Sequence, residues 1–281
     1  MSTDPRPLTN IRALLFDTFG TLVDWEGSVT TMLGEEWEKT SQVGGGGEGN
    51  GKQEADKEVD WLKFTRRWRG GYMKRTREIA AGASGPGNID DLHLEILNAL
   101  LEAPMYTSIA ETWSTQEKRK DLCQMWHRLN AWPDVKPGLE ALRELNPPVI
   151  LATLSNGTLR LLIDLAKHSS LPFSTHFSGD LLQSYKPNPK MYLGACGLLG
   201  YGDEEQRKGR GEVGMVASHS GDLKAAAGHG LRTIYIRRST EDVDVPNASP
   251  AVSTGQEGGE VDVVLDGEGE GLRGLAELLR G

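Results

Sequence analysis

Short apolar runs, each closed by polar turn residues, set the rhythm of this chain. Ile11 to Phe16 stops at Asp17 and is followed by Gly20. Pro148 to Leu154 stops at Ser155-Asn156-Gly157, and Val213 to Ala217 stops at Ser218-His219-Ser220-Gly221-Asp222. Leu231 to Ile236 follows, and a weaker run, Val261 to Leu265, comes last. Runs of this length bounded by turn signals predict buried strands. Between them Leu159, Leu162, Ile163 and Ala166 keep the i, i+3, i+4, i+7 spacing of a core-facing helix, Ala-rich helical sequence follows Asp222, and a final helix spans about Leu272 to Leu279. Alternating strands and helices predict an α/β fold with a doubly wound parallel sheet, whose ligands bind at the carboxyl ends of the strands.

The rhythm breaks after the first strand. From Trp25 to about Trp132 no strand pattern occurs, and helices are expected at Ser28 to Lys39, Ala55 to Ala80, Asp91 to Leu101 and Ile109 to Asn130. In the last of these, Leu122, Met125, Trp126 and Leu129 form one apolar face. The expected organisation is therefore a core of residues 11–24 and 133–281, with residues 25–132 inserted as an all-helical cap subdomain able to act as a lid over the strand end that carries Asp17.

Composition refines this picture. The 281 residues include 35 glycines, above the roughly 7% of an ordinary protein. Twelve of them lie in the polar tracts 44–51, 202–211 and 247–260, which are expected as flexible inserts. Gly20, Gly157 and Gly221 stand instead at strand ends, where a tight turn is expected. A formal charge of -9, from 31 Lys+Arg against 40 Asp+Glu, argues against nucleic acid as a partner. Cys123 and Cys196 lie far apart, which excludes a disulfide scaffold or zinc finger and fits a reducing compartment. The N-terminal MSTDPRPLTN lacks the apolar run of a signal peptide, and nothing approaches the ~18 apolar residues of a membrane span. A cytoplasmic protein without a membrane partner is expected.

Asp17, at the end of a buried strand with Gly20-Thr21 behind it, is either a turn cap or a nucleophile oriented by backbone N–H groups turning back toward it. Its surroundings bear on that choice. Leu14-Leu15-Phe16-Asp17-Thr18-Phe19-Gly20-Thr21-Leu22 resembles the first motif of the haloacid dehalogenase superfamily. Leu154-Ser155-Asn156-Gly157, Lys186-Pro187-Asn188-Pro189 and the segment ending in Asp222 resemble the second, third and fourth, in order, over about Ile11 to Ile236. The resemblance implies a Rossmann-like core with a helical cap.

The superfamily's phosphatases place a second aspartate two residues after the nucleophile as general acid/base, and they hold Mg²⁺ through acids of the fourth motif. Here these features are Phe19 and a segment with one acid, Asp222. The chain is more similar to the type II 2-haloacid dehalogenase branch, in which a carboxylate displaces halide and water then hydrolyses the aspartyl ester. Halide needs no proton to leave, so this chemistry implies no metal and no cofactor.

That resemblance implies Asp17 as nucleophile, Arg69 and Asn156 at the halide, and Thr21 and Ser155 positioning a small anionic substrate. It also implies Lys186 as charge partner of Asp17 and Asp222, Tyr192 as a hydrogen-bond donor, and Asp222 or His219 for ester hydrolysis. Arg69 lies in the basic stretch Lys63 to Arg77, whose other cations read as a solvated helix face. Ala217 and His219 depart from the branch's serine and asparagine, and His219 reads either as an aid to the hydrolytic water or as a structural histidine. The alternatives are a Mg²⁺-dependent phosphatase and a non-catalytic relative that binds a small anion. A homodimer is left open.

Overall fold

The computed structural model describes residues 8–43, 59–242 and 261–280. The Gly-rich tracts at 44–51 and 247–260 lie outside the described residues. The chain divides into two compact units, Met1–Asp24 with Asn130–Gly281, and Trp25–Leu129.

In the first unit β1 (Ala13–Phe16), β4 (Ile150–Leu154), β5 (Thr175–Phe177), β6 (Val213–Ala217), β7 (Arg232–Arg237) and β8 (Val263–Asp266) form, among the described residues, a six-stranded sheet. The order is β5-β4-β1-β6-β7-β8, and every pair is parallel. β1 is central, with all four residues buried, as its unbroken Ala-Leu-Leu-Phe requires of a strand covered on both faces. Its register pairs Phe16 with Thr153 on one side and with Val216 on the other. Asp17, Ser155 and Ser218 therefore leave the sheet on the same side. Helices α6 (Val135–Arg143), α7 (Leu159–His168), α8 (Gly179–Leu182), α9 (Pro189–Leu198), α10 (Ser220–Gly228) and α11 (Gly271–Arg280) complete this unit, and a two-residue ribbon joins β2 (Val23–Asp24) to β3 (Asn130–Ala131). Leu15, Ala152, Leu154, Met191, Val213 and Met215 are among its fully buried side chains, and the large ones each contribute on the order of 1.5–3 kcal/mol.

β5 was not signalled by sequence, being a three-residue edge strand whose Thr175 and His176 are only half buried. The segment 202–211, expected as a flexible insert, carries a π-helical turn at Glu205–Gly209. There the buried Arg207 donates to the carbonyls of Tyr201, Gly202 and His229. Gly20 has φ +82°, whereas Gly157 and Gly221 have no positive φ. Gly157 lies in the bend after β4, whereas the tight turn expected at Gly221 is corrected: Gly221 is an ordinary residue of α10.

The second unit is helical. It contains α1 (Trp25–Val43), α2 (Trp61–Ala80), α3 (Ile89–Leu101), α4 (Thr107–Thr112) and α5 (Gln116–Cys123), with 3-10 turns at Pro104–Tyr106 and Gln124–His127. The single helix expected over Ile109 to Asn130 is broken, because Trp113 leaves helical geometry and Thr115 caps a new helix by accepting Lys118 N–H. Asp60 and Asn88 cap α2 and α3 in the same way. The buried face of α2 runs Phe64, Trp68, Tyr72 and Thr76, four residues apart. Trp68 packs edge-on to Trp126, whose ring also meets His93 at 4.3 Å.

Candidate active site

β1 delivers Asp17, which is 6% exposed, into a set of donors contributed by three other chain segments. Lys186 Nζ lies 2.6 Å from Oδ1. Thr21 Oγ1 donates to Oδ2 at 2.8 Å while accepting Ser218 N–H at 2.9 Å. His219 Nδ1 stands 3.1 Å from the same Oδ2. The donors expected from the backbone are therefore side chains here, and Gly20 N–H goes instead to Val23 O at 3.0 Å.

Burial alone would raise the Asp17 carboxyl, but the Lys186 ammonium and the His219 ring hold it well below the usual carboxylate range. Lys186 is likewise opposed by burial, yet Asp17 and Asp222 raise it, so it remains an ammonium. The result is an ionised, water-poor carboxylate with its charge balanced by fixed partners, which is the state a nucleophile needs.

Lys186 reaches this position because its backbone is held. Its N–H donates to Asn156 Oδ1 at 2.6 Å, and Asn188 with Pro189 starts α9 immediately afterwards. Lys186 Nζ also pairs with Asp222 Oδ2, and Tyr192 donates its hydroxyl to Asp222 Oδ1. Burial first, and then Asp222, push the Tyr192 phenol far above its ordinary range, so it stays a donor.

Ser155 is buried, its hydroxyl accepting Gly157 N–H at 3.2 Å. Asn156 gives its oxygen to Lys186, while its amide nitrogen donates to no described residue. Asp17, Thr21, Ser155, Asn156, Lys186, Tyr192, His219 and Asp222 thus all lie in the first unit, on strand ends or the segments that follow them.

Arg69 belongs to the helical unit. It is 7% exposed, and its guanidinium lies 5.3 Å from the Trp25 ring centroid and 4.6 Å from that of Tyr72. Other cations of the same stretch take the solvated role. Arg66 pairs with Glu26, and Lys74 and Arg75 pair with Glu78.

Two residues escaped sequence reasoning. Glu241 Oε2 lies 2.7 Å from His219 Nε2, so the imidazole bridges two carboxylates. Burial opposes a charge on this ring, but the hydrogen bonds to Asp17 and Glu241 raise it to about 10. The one available signal for Glu241 was its place just past the carboxyl end of β7. The second is His93, both of whose ring nitrogens are buried without partners. Burial, and after it Arg69 and His127, hold that ring well below its ordinary value and therefore neutral.

The ammonium of Lys186 lies between Asp17 and Asp222 and contacts both carboxylates. Among the described residues, no group of three or more His, Cys, Asp or Glu side chains is arranged to hold a metal. Nor is any described helix long and apolar enough to cross a membrane.

The family model described as haloacid dehalogenase-like hydrolase matches residues 11–230. The chain is 27% identical to (S)-2-haloacid dehalogenase 4A of Burkholderia cepacia, over 82% of this chain and 84% of that protein. A defluorinating L-2-haloacid dehalogenase of known structure superposes with a TM-score of 0.74 at 32% identity, covering 98% of both chains. A second L-2-haloacid dehalogenase structure gives 0.69 at 31% identity, covering 96% of this chain and 98% of the other.

Proposed function

The chain belongs to the haloacid dehalogenase-like hydrolases, and we propose that it hydrolyses short 2-haloalkanoic acids to 2-hydroxy acids through an ester on Asp17, without a metal ion. One observation carries this reading. Asp17 is an ionised nucleophile gripped by Lys186, Thr21 and His219, and the residue two positions on is Phe19, which has no proton to give a leaving alkoxide. A leaving group that departs as a stable anion is the chemistry this site suits.

In the first step an Asp17 oxygen attacks C2 of the substrate and the carbon–halogen bond breaks, halide leaving with the bonding pair. Lys186 and the free amide of Asn156 supply positive charge and a donor for the substrate carboxylate and halide. Arg69, already clasped by Trp25 and Tyr72, is proposed as the halide's cation, and Ser155 and Thr21 as groups that shape the carboxylate site. In the second step water attacks the Asp17 acyl carbon, returning the carboxylate and releasing the hydroxy acid.

Halide release from L-2-chloropropionate in the presence of EDTA tests the reading, with Asp17→Asn as control. Release by the wild type and none above background by the variant is expected. No release from any short 2-haloacid by folded protein overturns it.

A further inference from the structure

Glu241 is the strongest feature that the proposed chemistry has not used. It lies just beyond β7 in a short segment that is tied down at several points. Glu241 N–H donates to Arg238 O at 3.1 Å, and Asp242 Oδ2 accepts Ser220 N–H at 2.9 Å. Arg238 itself is buried and doubly bonded to Asp134, at 2.7 and 3.1 Å. The Glu241 carboxylate occupies space that only a glycine at position 20 leaves open. A Cβ there would lie 2.3 Å from Glu241 Cδ. The placement is therefore built into two separate parts of the chain.

The other acids of the site are already committed. Asp222 accepts from Tyr192 with one oxygen and from Lys186 with the other. Asp17 becomes the ester, and Asp242 is engaged by the start of α10. Lys186 Nζ also faces Asp17, but it is held as an ammonium between Asp17 and Asp222, whereas His219 directs an imidazole nitrogen at Asp17.

We propose that Glu241 is a positioning residue for ester hydrolysis: by accepting the Nε2 proton of His219 it reserves Nδ1, the nitrogen facing Asp17, as the base that takes a proton from the attacking water. The inference rests on the dehalogenase reading above.

The logic follows from charge. In the free enzyme His219 lies between two carboxylates and is an imidazolium. Alkylation of Asp17 removes one of those charges, while Glu241 keeps the other at Nε2. The proton that the ring then releases to solvent is the one on Nδ1, next to the ester. Water adds to the acyl carbon and gives its proton to Nδ1. The bond between the acyl carbon and the ester oxygen breaks, and the departing alkoxide takes that proton to become the hydroxy acid. The Asp17 carboxylic acid returns its own proton to His219, which restores the starting ion pair. Overall, water and the haloacid give the hydroxy acid, halide and one proton.

Two measurements on Glu241→Gln, with Glu241→Asp as the charge-retaining control, test this. NMR titration of the His219 ring in ligand-free protein should place its pKa near 10 in the wild type, lower by about one unit or more in Glu241→Gln, and largely restored in Glu241→Asp. In rapid-quench experiments with L-2-chloropropionate, Glu241→Gln should release one equivalent of halide in a burst, while its Asp17 adduct decays roughly 10²-fold more slowly than in the wild type. Unchanged titration in a folded Glu241→Gln, or adduct decay at the wild-type rate, overturns the proposal. A wild-type chain that releases no halide overturns the dehalogenase reading and the hydrolytic step with it. The ligand-free titration still decides by itself whether Glu241 governs the ring.

Discussion

Lys186 Nζ lies 2.6 Å from Asp17 Oδ1 and also contacts Asp222, so one buried ammonium holds two buried carboxylates. Removing one partner of such a set leaves uncompensated charge away from water. Lys186→Met is expected to destabilise the fold by about 3–5 kcal/mol and to raise the Asp17 carboxyl. Urea denaturation measures the first effect, and the accompanying loss of halide release the second. A stability equal to the wild type would show that the cation does not hold this site together.

Arg69→Lys separates charge from shape. The flat guanidinium stacks near both Trp25 and Tyr72, whereas an ammonium keeps the charge but loses the planar face. Halide release should fall roughly tenfold or more, since each 1.4 kcal/mol of lost transition-state stabilisation is a factor of ten, while the melting temperature changes little. Full activity in Arg69→Lys would remove Arg69 from the proposed site.

The pH dependence of stability carries two signs. His219 is raised in the folded chain to about 10 from its ordinary 6.5, so its contribution is complete below pH 6.5 and is lost as pH rises through about 10. Asp17 is lowered in the fold from 3.8, so its contribution is complete above that value and is lost as pH falls below it. Thermal melts should show a decline between pH 6.5 and 10 that is flatter in His219→Gln. Parallel curves for the two proteins would contradict the imidazolium between Asp17 and Glu241.

Gly20→Ala tests the fit of Glu241 against the first turn. With φ at +82° and a Cβ only 2.3 Å from Glu241 Cδ, the variant should lose about 1–2 kcal/mol from backbone strain and a further, smaller part from displacing the Glu241 carboxylate. Gly20→Ala combined with Glu241→Ala should recover the clash component but keep the strain, measured as a double-mutant cycle in urea. Additive losses would mean that the two residues do not compete for that space.

Much of this architecture is written in local pattern. Continuous apolar runs ending in Asp17, Ser155 and Ser218 mark strands buried on both faces, and parallel register then brings their ends together. Lys186 was legible through the resemblance of Lys186-Pro187-Asn188-Pro189 to the superfamily's third motif. What escaped has a physical reason. β5 is a short edge strand with polar, half-buried residues, so it lacks an apolar run. The helix expected over Ile109 to Asn130 kept its periodic apolar face, and periodicity does not register the break at Trp113. Glu241 sits in Ser-Thr-Glu-Asp after β7, a sequence indistinguishable from a solvated turn. Its meaning comes from a tertiary contact with His219 and from the open space above Gly20.

The account stands on Asp17 as a covalent nucleophile whose ester is cleaved at the acyl carbon. A single turnover in ¹⁸O-enriched water, with enzyme in excess over L-2-chloropropionate, tests this most directly by mass spectrometry of the Asp17 peptide and the product. The account predicts that the label enters the Asp17 carboxylate and that the first-formed hydroxy acid carries unlabelled oxygen. Label in the hydroxy acid with none in Asp17 would mean that water attacks the substrate directly, and would contradict it.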